Sequence, residues 1–184
     1  MSLPRVLAAL AEALSPGAFA IVGAVARNAW APPRATTDLD LAIAATAQAL
    51  GAAEAALTAL GYRCVRRNQI DSSDVLPDLL IFRTEDPELR QVDLLVAKTP
   101  FEEDVLRRAV VLEISDLRIP VATAEDVLVY KLLAARPRDW EDVRAVVRTQ
   151  ARTGASLDWA HVERWCEFWG VSDRLAALRA EGLT

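Results

Sequence analysis

The chain has one histidine, His161, and two cysteines, Cys64 and Cys166, among 184 residues. That scarcity removes whole classes of chemistry. A Ser-His-Asp or Cys-His centre would have to use His161, and no nucleophile-elbow pattern stands near it. The cysteines are far apart and match neither a metal spacing nor a disulfide framework, so they are expected to be two small buried hydrophobes. Aromatics are few, 6% of the residues, and no aromatic slot for a nucleobase is identifiable. No run approaches the ~18 consecutive apolar residues of a membrane span. The opening stretch, MSLPRVLAALAEALSPGA, carries Glu12 inside its apolar pattern and reads as an amphipathic helix rather than a signal peptide, which predicts a cytoplasmic protein with no membrane partner. The net charge of −5 argues against a broad nonspecific nucleic-acid binder. Local basic groups (Arg63, Arg66 and Arg67; Arg107 and Arg108; Arg136 and Arg138) read as solvated surface. Chemistry must therefore come from carboxylates, Lys and Arg.

What is present is core material: 53% of the residues are hydrophobic. The length fits one domain, or one domain with an appended helical part. The patterning predicts a helix over 3–14, a buried strand over Ala18–Val22 and a helix over Ala24–Trp30. A strand over Asp38–Ile43 and an Ala-rich helix over Thr46–Leu60, closed by Gly61, follow. Strands are predicted at Tyr62–Arg66, Leu79–Phe82 and Gln91–Val96, with a polar loop over Asn68–Asp78. A short helix opens at Thr99-Pro100, and Val110–Ile114 with Leu117–Ile119 suggests a hairpin. After Pro120 the character becomes helical, at about 124–135, 139–152, 158–169 and 172–181, with Thr123 as a helix cap. The reading is a mixed α/β (α+β) core over residues 1–119 and a C-terminal helical part over 120–184.

The informative stretch is Thr37-Asp38-Leu39-Asp40-Leu41-Ala42-Ile43. Along a strand, side chains alternate faces, so Asp38 and Asp40 share one face while Leu39, Leu41 and Ile43 share the other. Same-face neighbours lie roughly 6–7 Å apart at Cα, and two anions that close repel unless protonated or bridged by a cation. A strand with an apolar back and two acids in front suits Mg²⁺, or Mn²⁺ in its place. Val92-Asp93-Leu94 repeats the design. If the two strands are neighbours, Asp38, Asp40 and Asp93 converge into a platform for metal ions on a nucleoside triphosphate. Asp93 could also accept a proton from an attacking hydroxyl. Upstream, Val22-Gly23-Ala24 turns a strand directly into a helix, whose N-terminal N–H groups suit a phosphate.

The runs Ile21-Val22-Gly23-Ala24-Val25-Ala26-Arg27-Asn28-Ala29-Trp30 and Arg34-Ala35-Thr36-Thr37-Asp38-Leu39-Asp40-Leu41 resemble the nucleotidyltransferase superfamily, in its AbiEii toxin-like bacterial branch. That branch shows Gly-Gly or Gly-Ser opening the helix, then Arg-x-Thr-x-Asp-h-Asp, where h is apolar, and a later h-Asp-h strand. The likeness extends through Ala122-Thr123-Ala124-Glu125-Asp126-Val127, Lys131 and Arg136-Pro137-Arg138-Asp139-Trp140-Glu141-Asp142-Val143. It implies a minimal nucleotidyltransferase fold, a small mixed sheet flanked by helices. It also implies Mg²⁺-dependent transfer of a nucleoside monophosphate from an NTP to tRNA, a protein side chain or a small hydroxylated molecule. The chain could serve as the toxin of a toxin–antitoxin pair, with an antitoxin-type protein partner. The alternative is the same fold kept as an inactive binding or partner-association module. Ala24 departs from the pattern: it cannot supply the hydroxyl that a Ser in its place offers a phosphate.

On this reading Asp38, Asp40 and Asp93 are the metal and catalytic residues, and Gly23, Ala24, Arg34, Thr36, Lys131 and Asp139 bind the nucleotide. Arg34 would reach a phosphate or pair with an acid of the cluster. Lys131 interrupts a very apolar helix without an acid at i±3 or i±4, so it snorkels to water or faces an anion. Asp139 also suits an N-cap with Asp142 at the third helical position. Trp159, Trp165 and Trp169 read as core.

Overall fold

The computed structural model describes residues 2–69 and 78–183. Most of the loop expected between Asn68 and Asp78 lies outside them. In chain order the elements are α1 (Leu3–Ala13), β1 (Phe19–Val22), α2 (Gly23–Trp30), β2 (Asp38–Ala44), α3 (Ala47–Ala59), β3 (Arg63–Asn68), β4 (Leu79–Arg83) and β5 (Gln91–Ala97). They continue with α4 (Pro100–Arg108), β6 (Val110–Ile114), β7 (Leu117–Val121), α5 (Ala124–Ala134), α6 (Pro137–Thr153), α7 (Trp159–Phe168) and α8 (Ser172–Ala180). The chain divides into two units, one holding residues up to Val25 with Ala35–Ala122, the other holding Ala26–Arg34 and the residues from Thr123 on.

In the first unit the described strands form one mixed sheet in the order β3-β4-β5-β2-β1-β7-β6. The alternating pattern decides its faces: Leu39, Leu41 and Ile43 of β2 are buried together with Leu80 and Phe82 of β4 and Val92, Leu94 and Val96 of β5. β2 and β5 run parallel, while β1 and β4 flank them antiparallel. Val6, Leu7 and Leu10 on one face of α1 are fully buried, and α1 packs on α3 and β7. α4 opens with a complete capping box, in which Thr99 accepts from the Glu102 N–H and Glu102 accepts from the Thr99 N–H.

Two expectations change here. The second hairpin strand was expected to end at Ile119, before Pro120; instead β7 runs through Pro120 to Val121 and pairs with β1 as well as β6. The turn is made by Ser115 and Asp116, both at positive φ (51° and 64°). That makes Ile114–Leu117 the hydrogen-bonded pair beside a two-residue turn, so Pro120 faces Val111 at a non-hydrogen-bonded position, where the ladder needs no N–H from it. The second change is Cys64, which is exposed, unlike the buried Cys166. Cys64 sits on edge strand β3, beside a bulge between Cys64 and Arg66.

The second unit is helical. α5 packs on α6 and α7, and α7 on α8. The C-terminal carbonyls of α5 are satisfied from outside their own helix: Arg174 donates to Leu132 O at 2.7 Å and Leu133 O at 2.8 Å. Thr123 caps α5 as expected, accepting from the Asp126 N–H. At α6 the N-cap is Arg136, not Asp139. Pro137 takes the first turn and Asp139 stands at the third helical position, accepting from the Arg136 N–H at 3.2 Å. His161 is buried and pairs through Nε2 with Asp126 at 2.7 Å, fastening α7 to α5. Trp165 is core, edge-on to His161 and to Phe168, whereas Trp159 and Trp169 are half-buried. Among the described residues no helix is long and apolar enough to cross a membrane.

Candidate active site

β2 and β5 are hydrogen-bonded neighbours in parallel register, with Asp40 beside Asp93 and Asp38 beside Gln91. Direct cross-strand partners share a face, so the three carboxylates lie on the side of the sheet opposite the buried leucines. Burial rises across them: Asp38 is exposed, while Asp40 and Asp93 are half-buried. Thr37 Oγ1 donates to Asp38 Oδ1 at 3.2 Å, and Thr36 Oγ1 accepts from the Asp38 N–H at 3.3 Å, fixing the entry into β2.

Asp93 is the strained member. Its Oδ2 accepts from Gln91 Nε2 at 3.1 Å, but its Oδ1 is buried with no hydrogen-bond donor. Burial raises its carboxyl most, the charge of Asp40 adds to that, and the Gln91 hydrogen bond opposes it; the outcome is a pKa pushed up to about 6. Asp38 adds to the rise and Arg83 opposes it, but burial and the neighbouring acids prevail, so the carboxylate favours a cation or a proton beside it.

Gly23 has a role that a turn alone does not explain. It adopts φ +62°, and a β-carbon there would sit 2.0 Å from Asp40 Oδ2. The Asp40 carboxylate thus occupies the space a side chain at 23 would fill. The register agrees, since Val22 of β1 is the direct partner of Asp40. Only glycine satisfies both the backbone and the close approach. Ala24 follows in the first turn of α2.

Among the described residues no three His, Cys, Asp or Glu side chains gather closely enough to hold a metal ion by themselves. Mg²⁺ does not require that, because it usually takes one or two carboxylates and completes its shell with water and substrate phosphate. Carboxylates on adjacent rows, with an orphaned buried oxygen on Asp93, fit such a partial ligand set. The same face continues into basic residues. Arg83 of β4 pairs with Gln91, and Arg63 and Arg66 of β3 pair with Arg83 and Ile81. The bulge after Cys64 returns Arg66 to the face of Arg63. Arg67 instead pairs with Leu80 and bonds Glu54 of α3 at 2.8 Å.

The remaining predicted residues assemble in the second unit. Arg34 makes a two-pronged pair with Asp142, at 2.9 Å and 2.8 Å. Lys131 is buried and bridges Asp139 at 2.8 Å and Asp142 at 2.9 Å. Arg27, also buried, places Nε 3.0 Å from Asp142 Oδ1. Burial would raise the Asp142 carboxyl, but hydrogen bonds from Arg34 and Lys131, together with their charges, outweigh it and hold it down at about 2. Sequence reasoning read Asp142 mainly as a cap residue and gave Arg27 and Gln91 no role. A buried Asp between two cations far away in sequence leaves no local spacing signal.

Residues 5–168 match the family model described as nucleotidyl transferase AbiEii toxin, type IV TA system. No curated protein matches the chain at a significant level. Among solved structures, the solution structure of the antibiotic-resistance factor ANT(2'')-Ia is 18% identical, with 98% of this chain and 94% of that chain covered at a TM-score of 0.59. The crystal structure of ANT(2'')-Ia in complex with adenylyl-2''-tobramycin is 15% identical, with 91% and 96% covered at a TM-score of 0.61. At these identities the likeness establishes the nucleotidyltransferase fold.

Proposed function

The chain belongs to the AbiEii family of nucleotidyl transferase toxins, and from that premise we propose that it moves a nucleoside monophosphate from an NTP to an acceptor hydroxyl. The observation that carries the reading is the Asp40–Asp93 register pair with its unsatisfied Oδ1, set against Gly23. Asp38 and Asp40 would hold Mg²⁺ or Mn²⁺. Bound there, the ion supplies charge neutralisation along the triphosphate. Asp93 Oδ1, buried without a donor, would complete the ion's ligand set beside Asp38 and Asp40 or take the acceptor's proton. The Gly23–Ala24 turn offers backbone N–H groups to a phosphate without help from a side-chain hydroxyl.

For Arg34, Lys131 and Asp139 the pairing supports a framework role in the nucleotide-binding part: each charge is engaged by a buried partner, with Asp142 as the hub. The acceptor we favour carries phosphate, as tRNA does. Arg63 and Arg66 of β3 extend the acidic face into a basic one, which favours a polyanion over a protein side chain or a polycationic aminoglycoside of the tobramycin kind. A toxin role, with an antitoxin-type protein partner, follows from the family's description.

The test is direct. Purified protein is incubated with each α-labelled NTP, Mg²⁺, and either bulk tRNA or cell lysate. Label enters a defined acceptor with one preferred NTP, and Asp38→Ala plus Asp40→Ala abolishes it. No transfer, or equal labelling by the double variant, rejects the reading. NTP binding by calorimetry without any transfer supports the inactive binding module instead.

A further inference from the structure

We propose that Gln91, held by Arg83, is a positioning residue that presents Oδ1 of Asp93 as the working oxygen; the proposal rests on the nucleotidyl-transfer reading above. Three observations carry it. Arg83 Nε donates to Gln91 Oε1 at 2.8 Å, Gln91 Nε2 donates to Asp93 Oδ2 at 3.1 Å, and Asp93 Oδ1 is buried without a donor. The register explains why the three meet. Arg83 and Gln91 are direct partners across β4 and β5, and Gln91 and Asp93 are two apart on one face of β5.

The direction of this chain is fixed by chemistry. A guanidinium has only donors, so the end of the Gln91 amide beside Arg83 must be the carbonyl. The other end is then the NH₂, the one polarity that a carboxylate accepts. Arg83 thereby prevents the amide flip that would set two oxygens against each other. With Oδ2 engaged, the Asp93 carboxylate is held against rotation and Oδ1 keeps its open valence. Glutamate at 91 would instead place a fourth acid in the row between Asp38 and Arg83, with no proton to give Asp93. Because Arg83 is exposed and Gln91 half-buried, water competes for the outer bond, so Gln91 matters more than Arg83.

The experiment uses the full chain and Mn²⁺ as probe. Free Mn²⁺ is read by electron paramagnetic resonance, kcat and KM come from label transfer, and urea unfolding controls for folding. Gln91→Leu is expected to loosen Mn²⁺ three- to tenfold and to lower kcat ten- to a hundredfold, with KM for the NTP within twofold. Gln91→Glu, nearly the same shape, should keep wild-type stability and lose kcat like Gln91→Leu. Arg83→Ala should lower kcat about threefold in the wild type and clearly less in Gln91→Leu, because it acts mainly through Gln91 and its charge acts on Asp93 directly only as a minor contribution. The proposal is overturned if both Gln91 variants match wild type, or if Arg83→Ala keeps its full effect without Gln91. Asp40→Asn separates the two levels. If it loosens Mn²⁺ while the Gln91 variants do not, only the positioning role fails. If it changes neither Mn²⁺ binding nor transfer, the transfer reading falls and the positioning role with it.

Discussion

Asp93 and Asp142 start from the same ordinary carboxyl value and finish on opposite sides of it, at about 6 and about 2. Burial pushes both upward, so burial is not what separates them. Company does. Asp93 stands in a sheet beside Asp40, with Asp38 one row away and a single amide donor. Asp142 stands among helices with Arg34, Lys131 and Arg27 within 3.0 Å. One carboxylate is held in an environment that disfavours its charge; the other is over-supplied with cations. Conflict that folding leaves in place marks a candidate site, and conflict that folding removes is what a structural ion-pair network shows.

The strongest way to break this contrast is to remove the hub. Asp142→Ala leaves Arg27, Arg34 and Lys131 around a buried void of charge. It should destabilise the protein by about 3–5 kcal/mol, read as a lower urea midpoint with unchanged slope. A loss below about 1 kcal/mol would mean that the buried network is not structural. The acidic face should behave in the opposite way. Asp40→Asn and Asp93→Asn are expected to reduce transfer by about 10²–10³-fold or more while holding or raising stability, because each removes a like-charge neighbour. Either variant unfolding more readily than wild type would assign these acids to the framework.

The two carboxyls also predict opposite pH slopes. Asp142 is depressed in the folded state, so its contribution is complete above the unfolded value of 3.8 and is lost as pH falls through about 2. At 1% exposure the difference corresponds to about 2 kcal/mol. Asp93 is raised, so it works with the other sign: stability declines as pH rises from 3.8 through about 6. Stability measured from pH 2 to 7 in wild type and in Asp93→Asn separates the two, since the variant keeps the acid limb and loses the decline.

The acidic face was far more legible in the sequence than the buried network, for a physical reason. Asp38, Asp40 and Asp93 lie on strands whose period of two shows directly which residues share a face, and β2 and β5 follow that pattern. Helix punctuation was equally readable, as at Gly154 in its left-handed cap. Lys131 was legible only as an anomaly. Its partners are eight and eleven residues away on the next helix, beyond the i±4 rule, and Arg34 reaches Asp142 across 108 positions. Cys64 misled because a small apolar residue says nothing about whether its strand is at an edge. Gly23 was legible as a turn, but not as the cradle of Asp40.

That cradle gives a smaller effect. Gly23→Ala must adopt a left-handed backbone and displace the Asp40 carboxylate from a position 2.0 Å from the new carbon. A loss of about 1–2 kcal/mol is expected from the backbone alone. Activity should fall further than stability does, because the displaced group is a proposed metal ligand. Matching losses in urea unfolding and kcat would place the whole effect on folding.

The smallest effect tests whether burial, rather than ion pairing itself, makes Asp142 important. Arg144 and Glu181 form an ideal two-pronged pair, at 2.7 Å on both sides, in the same helical unit as the Asp142 network. Their geometry is as good as that of Arg34 with Asp142, but the pair stands in solvent, where water and salt screen it and two long side chains lose freedom to hold it. Arg144 also lies 5.8 Å over the ring of Trp140, so Glu181→Gln is the cleaner change. Its urea midpoint should be indistinguishable from wild type in 0.5 M salt and barely lower at low salt. A shift comparable to that of Asp142→Ala would show that pairing geometry governs both sites. The absence of one leaves burial as the property that turns the ion pairs of Asp142 into a scaffold.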